Sequence, residues 1–144
     1  MKKVFLSALV LCIGFSLQAQ VKLPRIFGDH MVLQRDHAVN VWGWAGGKEK
    51  VTVQLNKQTK TVTAGKDGKW KVVFDALPAG GPYNLIVKSK DKKIEFQNIL
   101  MGDVWLCSGQ SNMLFRLNQA YEGKQAIENS TNKKIRLFQL NAIR

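Results

Sequence analysis

Histidine is scarce in this 144-residue chain: His30 and His37 are the only two, and both precede residue 38. No grouping of His, Cys, Asp or Glu has metal-ligand spacing, and there is no phosphate-binding glycine loop. The sequence therefore implies neither a metal nor an organic cofactor. Cysteine is equally sparse, with only Cys12 and Cys107. Arginine supplies only five of the 22 basic residues, and the acids number 10, which leaves a formal net charge of +12. That imbalance raises nucleic acid as a partner, but the lysines argue against it. Lys48, Lys57, Lys66, Lys69, Lys71 and Lys88 are scattered over short segments and mostly alternate with apolar residues, as on solvated strand faces. No arginine-rich arm or nucleic-acid motif accompanies them. The plainer reading is a solvated basic surface, attractive to anionic glycans.

Long apolar runs are also missing, except at the start. Lys2 and Lys3 precede an apolar stretch over residues 4–17, which has the length of a signal h-region and is short for a membrane span. Leu17-Gln18-Ala19 ends in a small residue, so residues 1–20 are expected to be a signal peptide cleaved after Ala19 or Gln20. The mature protein is then exported, periplasmic or secreted, with no membrane segment. Loss of the signal removes Cys12, leaving Cys107 alone and no intramolecular disulfide.

Residues 21–98 read as short strands. Alternation runs through Val39-Asn40-Val41-Trp42-Gly43-Trp44, Lys50-Val51-Thr52-Val53-Gln54-Leu55 and Thr59-Lys60-Thr61-Val62-Thr63. It continues in Lys69-Trp70-Lys71-Val72-Val73-Phe74, Tyr83-Asn84-Leu85-Ile86-Val87-Lys88 and Lys93-Ile94-Glu95-Phe96. Turn signals separate the runs: Gly46-Gly47, Asn56-Lys57, Gly65-Lys66-Asp67-Gly68 and Pro78-Ala79-Gly80-Gly81-Pro82. Strands at this spacing, with no helical stretch between them, predict an antiparallel β-sandwich. Trp42, Trp44, Trp70 and Phe74 are its expected large core residues. A sugar-stacking role for the paired tryptophans is the competing assignment.

The pattern changes over residues 99–144. Ile99-Leu100-Met101-Gly102-Asp103 leads into Val104-Trp105-Leu106-Cys107-Ser108, an almost continuous apolar run that predicts a strand buried on both faces, with Cys107 as inert packing. Asp103 is assigned to the strand start or a turn. Gly109-Gln110-Ser111-Asn112 is a turn. Met113, Leu114, Leu117, Ala120 and Tyr121 then follow at helical spacing, with Gly123 as a stop. Ile135-Arg136-Leu137-Phe138-Gln139-Leu140 reads as a further strand. Strand, turn, helix and strand form the opening unit of a parallel α/β sheet. One such unit cannot cover both faces of a sheet, so this second domain reads as incomplete.

A hydrolytic serine needs an exposed hydroxyl near backbone N–H groups that can hold an oxyanion, and a tight strand-to-helix turn supplies both. Ser111 has that setting. Ser111 or Asn112 would serve equally well as a simple helix cap, and the local pattern does not separate the two readings.

Residues 102–113 resemble the nucleophile block of the sialate O-acetylesterase family, a branch of the SGNH hydrolases that removes acetyl groups from sugars. Residues 23–35, Leu-Pro-Arg-Ile-Phe-Gly-Asp-His-Met-Val-Leu-Gln-Arg, look like the opening of that family's N-terminal sandwich. Val41-Trp42-Gly43-Trp44-Ala45, Asp67-Gly68-Lys69-Trp70 and Ala79-Gly80-Gly81-Pro82-Tyr83 match in kind and order. The resemblance implies a mixed fold: an antiparallel β-sandwich followed by the truncated start of a three-layer α/β SGNH hydrolase domain. It implies Ser111 as nucleophile, its backbone N–H as one oxyanion donor, and Gly109, Gln110 and Asn112 as residues that shape the turn. The implied partner is an O-acetylated carbohydrate such as sialic acid.

Later SGNH blocks supply an oxyanion-hole Gly and Asn and an Asp-x-x-His pair. None can be placed here: no histidine follows Ser111, and the only acids after it are Glu122 and Glu128. His30 and His37 lie in the sandwich segment and are assigned structural roles. The catalytic His and Asp are thus absent from this chain, and it is expected to have little turnover by itself. The alternatives are a non-catalytic carbohydrate-binding or interaction module, or a relic without function.

Overall fold

The computed structural model describes residues 20–90 and 92–140. Residues 1–19, with Cys12 and almost all of the expected signal, lie outside them. The described chain is mostly β-structure with few helices. Seven strands form in order: β1 (Val32–Gln34), β2 (Val39–Trp44), β3 (Lys50–Leu55), β4 (Gln58–Thr63), β5 (Lys69–Phe74), β6 (Gly80–Lys88) and β7 (Lys93–Gly102). Five make a sheet in the order β1-β7-β6-β3-β4, antiparallel except for the parallel β1–β7 pair; β2 and β5 make a two-stranded ribbon. The β3–β4 hairpin turns at Asn56, whose φ of 52° is a left-handed value that Asn tolerates well.

Alternation sets one core from both sheets. Val51, Val53 and Leu55 of β3, Leu85 and Val87 of β6, and Ile99 and Met101 of β7 are buried. Val39 and Val41 of β2 and Trp70, Val72 and Phe74 of β5 join them in the same cluster. On the ribbon, small residues face large ones: Val39 lies opposite Phe74, Val41 opposite Val72 and Gly43 opposite Trp70.

Gly43 is required there. A Cβ at this position would lie 2.1 Å from the Lys22 carbonyl oxygen and 2.8 Å from Cζ2 of Trp70. Lys22 and Trp44 exchange backbone hydrogen bonds of 2.8 and 2.9 Å, which closes the chain over this point. Gly68 is the second demanding glycine. Its φ is 78°, and a Cβ would lie 2.5 Å from the Ala45 carbonyl oxygen, while the Ala45 N–H donates to the Gly68 carbonyl at 2.9 Å.

The ribbon corrects one expectation. Trp42 and Trp44 are not core residues; they face outward, 39% and 44% exposed. The register gives the reason. Their cross-strand partners are Lys71 and Lys69, so turning the tryptophans inward would carry two lysines with them. Trp70 and Phe74 do fill the core.

Several expectations for the later segment also change. The strand expected to end at Phe96 runs on to Gly102, across the boundary placed between residues 98 and 99. Residues 104–108 form no strand, and Cys107 is exposed rather than packed. Instead of one helix from Met113 there are two 3₁₀ turns, Ser111–Leu114 and Leu117–Gln119, and a short helix α1, Gly123–Glu128. Gly123 opens that helix rather than ending one. Residues 135–140 are irregular. A strand that is apolar on both faces needs hydrogen-bonded neighbours and cover on both sides, and residues 104–108 find neither among the described residues.

Two measurements check this core. Phe74→Ala, at a fully buried ribbon position, is expected to lower unfolding free energy by about 3–5 kcal/mol in a urea titration. Glu49 offers a pH test. The Ser89 hydroxyl, the Gly46 N–H and the Lys90 N–H converge on its carboxylate and hold it below the usual carboxylate range. A depressed folded pKa contributes stability that is fully present above the ordinary value of 4.5 and is lost as pH falls through the lowered one. The stability difference between the parent chain and Glu49→Gln is therefore expected to be level well above pH 4.5 and to shrink as the pH falls below it.

Candidate active site

β7 delivers the chain to the serine turn, and β1 holds the place where it leaves the sheet. The Arg35 N–H donates to the Gly102 carbonyl at 2.9 Å. The Arg35 Nε donates to Asp103 Oδ1 at 3.0 Å, and its Nη1 reaches Asp36 Oδ2 at 2.7 Å. The Val104 N–H donates to Gln34 Oε1 at 2.9 Å. The Asp103 carboxylate, hydrogen-bonded and close in charge, raises the Arg35 pKa further, with Asp36 adding to the effect. The guanidinium therefore remains a cation at every working pH. Asp103, assigned from sequence to a strand start or turn, instead follows the strand and anchors its exit.

A second tether lies farther along. Arg136 donates to the carbonyl oxygens of Met31 and Asn98, and its Nη2 to Asn98 Oδ1 at 3.0 Å. Asn98 has φ 54°, and its side-chain amide also meets His30 Nδ1 at 2.8 Å. His30 thus serves a structural hydrogen bond, and so does His37, whose Nδ1 lies 3.0 Å from the Arg35 carbonyl oxygen. The sequence reading missed the Arg35 and Arg136 tethers. The only signal for them was an arginine placed just past β1 and another inside an otherwise apolar run.

Between the tethers lies the serine turn. Gly109, Gln110, Ser111 and Asn112 are all exposed. Gln110 precedes the first 3₁₀ turn with φ −98° and ψ −145°, and no side chain caps that turn. Ser111 and Asn112 therefore do not act as caps. The Met113 N–H donates to the Gln110 carbonyl at 3.0 Å and the Phe115 N–H to the Asn112 carbonyl at 3.2 Å. Gly109 gives room to Met113: a Cβ would lie 2.8 Å from its Cγ. In such a turn the first backbone N–H groups have no partner within the turn, here those of Ser111 and Asn112.

The surroundings are open and apolar. Trp105 is 84%, Leu106 90% and Leu137 96% exposed, and Leu114, Phe115, Tyr121 and Phe138 are exposed as well. Neither histidine is brought into a hydrogen bond with Ser111 among the described residues.

No model of a protein family matches the chain. It is similar to the sialate O-acetylesterase of Pongo abelii, 36% identical over 113 residues, which are 71% of this chain and 22% of that protein. The human sialate O-acetylesterase is 35% identical over 114 residues, with the same coverage of each chain. That of Mus musculus is 32% identical over 127 residues, 80% of this chain and 24% of that protein. Among solved structures, a carbohydrate acetylesterase from Xanthomonas citri superposes with a TM-score of 0.76 at 39% identity, covering 78% of this chain and 26% of that one. The chain thus spans only 22–24% of the length of the three curated relatives named here.

The Arg136 tether is open to test. Arg136→Ala removes three hydrogen bonds from a charged donor and is expected to loosen residues 104–140 by on the order of 1–3 kcal/mol. Native-state hydrogen exchange should show faster exchange there, with the protection of β3 and β6 unchanged.

Proposed function

Because this chain belongs to the sialate O-acetylesterase family, we propose that it carries the nucleophile-bearing front of an exported serine esterase that removes O-acetyl groups from sugars. In this reading strands β1 to β7 form the antiparallel β-sandwich, and residues 103–140 are the opening of the α/β SGNH domain. The supporting observation is the position of Ser111. It stands exposed at the first position of a 3₁₀ turn, nine residues after a strand fastened on both sides, within a segment of family-like sequence.

The Ser111 Oγ attacks the acetyl carbonyl carbon, and the backbone N–H of Ser111 donates to the oxyanion that forms. The C–O bond to the sugar breaks, the sugar oxygen takes up a proton, and acetyl-Ser111 remains. Water then attacks the acyl carbon and releases acetate. Gly109, Gln110 and Asn112 hold the turn and take no chemical step. Both proton transfers need a base, and the chain has no histidine after Ser111. By itself it is therefore a poor catalyst, since an unassisted serine hydroxyl is a weak nucleophile near neutral pH.

The coding DNA beyond the codon for Arg144 supplies the test. An open frame with a late Asp-x-x-His block is expected to encode a protein that releases acetate from O-acetylated sialic acid. Ser111→Ala should lower its kcat by about 10⁴-fold or more. Absence of that block in every frame would sink the enzymatic reading. Robust acetate release by the 144-residue chain, abolished in Ser111→Ala, would overturn its inactivity.

A further inference from the structure

The outer face of the β2–β5 ribbon takes no part in the chemistry above, yet it has the composition of a binding surface. Trp42 and Trp44 stand two residues apart on one face of β2, about 6.7 Å along the strand. An open groove of about 340 Å³ is lined by Trp42, Gly43, Trp44, Lys69, Trp70 and Lys71. Trp42 is held by an edge-to-face contact with Phe27, centroids 5.0 Å apart at 74°, so its indole is fixed in orientation before any ligand arrives. Trp70 itself is buried and forms the floor beneath this face, its indole filling the space beside Gly43.

Charge narrows the occupant. Lys71 is the cross-strand partner of Trp42 and Lys69 of Trp44, so each tryptophan has a lysine opposite it in the register. Lys69 is engaged by Asp67 at 3.2 Å. Lys71 makes no ion pair among the described residues, and the chain as a whole carries +12. Two indole faces suit the apolar C–H faces of successive pyranose rings, and the adjacent ammonium suits a carboxylate on one of them.

We infer that this ribbon face is a binding platform for an acidic oligosaccharide, with Trp42 and Trp44 stacking on sugar rings and Lys71 pairing with a sugar carboxylate. The choice of a glycan as occupant rests on the carbohydrate reading above; the surface itself is independent of Ser111. Its role is to hold the polymer while the reacting ester is presented elsewhere.

The test is calorimetric titration of the purified chain with a sialic-acid trimer, a neutral cello-oligosaccharide of equal length and a single-stranded oligonucleotide. The trimer is expected to bind, and the neutral sugar about ten-fold more weakly or not at all. Trp44→Ala and Lys71→Gln, each with an unchanged circular dichroism spectrum, should weaken the trimer by about ten-fold, and salt raised from about 50 to about 300 mM should weaken it further. Ser111→Ala should leave it unchanged.

Equal binding by parent and Trp44→Ala would overturn the platform, as would equal binding of trimer and oligonucleotide, or no binding at all. Loss of binding in Ser111→Ala alone would locate the sugar at the serine, overturning the platform while sparing the esterase reading. Trimer binding that depends on Trp44, in a gene with no Asp-x-x-His block, would keep the platform and remove the esterase.

Discussion

The indole of Trp70 fills the space that Gly43 leaves open, and the register that sets these residues opposite each other decides which ribbon face meets the core. Shifted by one position, the ribbon would bury Lys69 and Lys71 and expose Phe74. A buried, unpaired ammonium is far more costly than an exposed aromatic ring, so the shifted pairing is excluded. With the register fixed, Val39, Val41, Val72 and Phe74 close the core against β3, β6 and β7, and the remaining tryptophans are committed to the surface.

The segment after Gly102 is held by a different kind of force. The strands cohere by burying apolar area, whereas residues 103–140 are fastened through the Arg35–Asp103 pair, the Val104–Gln34 bond and the fork of Arg136 on Met31 and Asn98. Such bonds fix position, yet each contributes little net free energy where water competes. The apolar side chains between the two tethers stay largely in solvent. Ser111 is thus carried on a stretch whose ends are placed by hydrogen bonds and whose interior, apart from the contact of α1 with the second 3₁₀ turn, leaves its large apolar side chains exposed.

The sequence was most readable where period-two alternation met a core built from nearby strands. Val39–Trp44, Lys50–Leu55 and Lys69–Phe74 follow from pattern alone, bounds included. Which ribbon face turns inward was readable only by considering two strands together: Trp42 and Trp44 look like core until their lysine partners are placed. The apolar runs at 104–108 and 135–140 carry no alternation, and such runs become strands only through pairing that is not encoded within them. The turn at Ser111 was legible from Gly109 and the change of period. The tethers that position it were not, because Arg35 and Asp103 stand 68 positions apart and Arg136 and Met31 stand 105 apart.

That separation also bears on how the chain acquires its shape. β1 pairs in parallel with the last residues of β7, so a strand made early must wait for one made late. Closing so long a loop costs conformational entropy before any contact offsets it, and non-local pairing of this kind slows folding. During synthesis, β2 to β6 can form their hairpins and ribbon while β1 remains without a neighbour. The exit of residue 102 from the ribosome supplies that neighbour, and the serine turn follows within the next dozen residues. The nascent chain therefore completes its sheet at nearly the same moment as it begins to display its nucleophile, so a stall just before this point would leave an open sheet edge and no site.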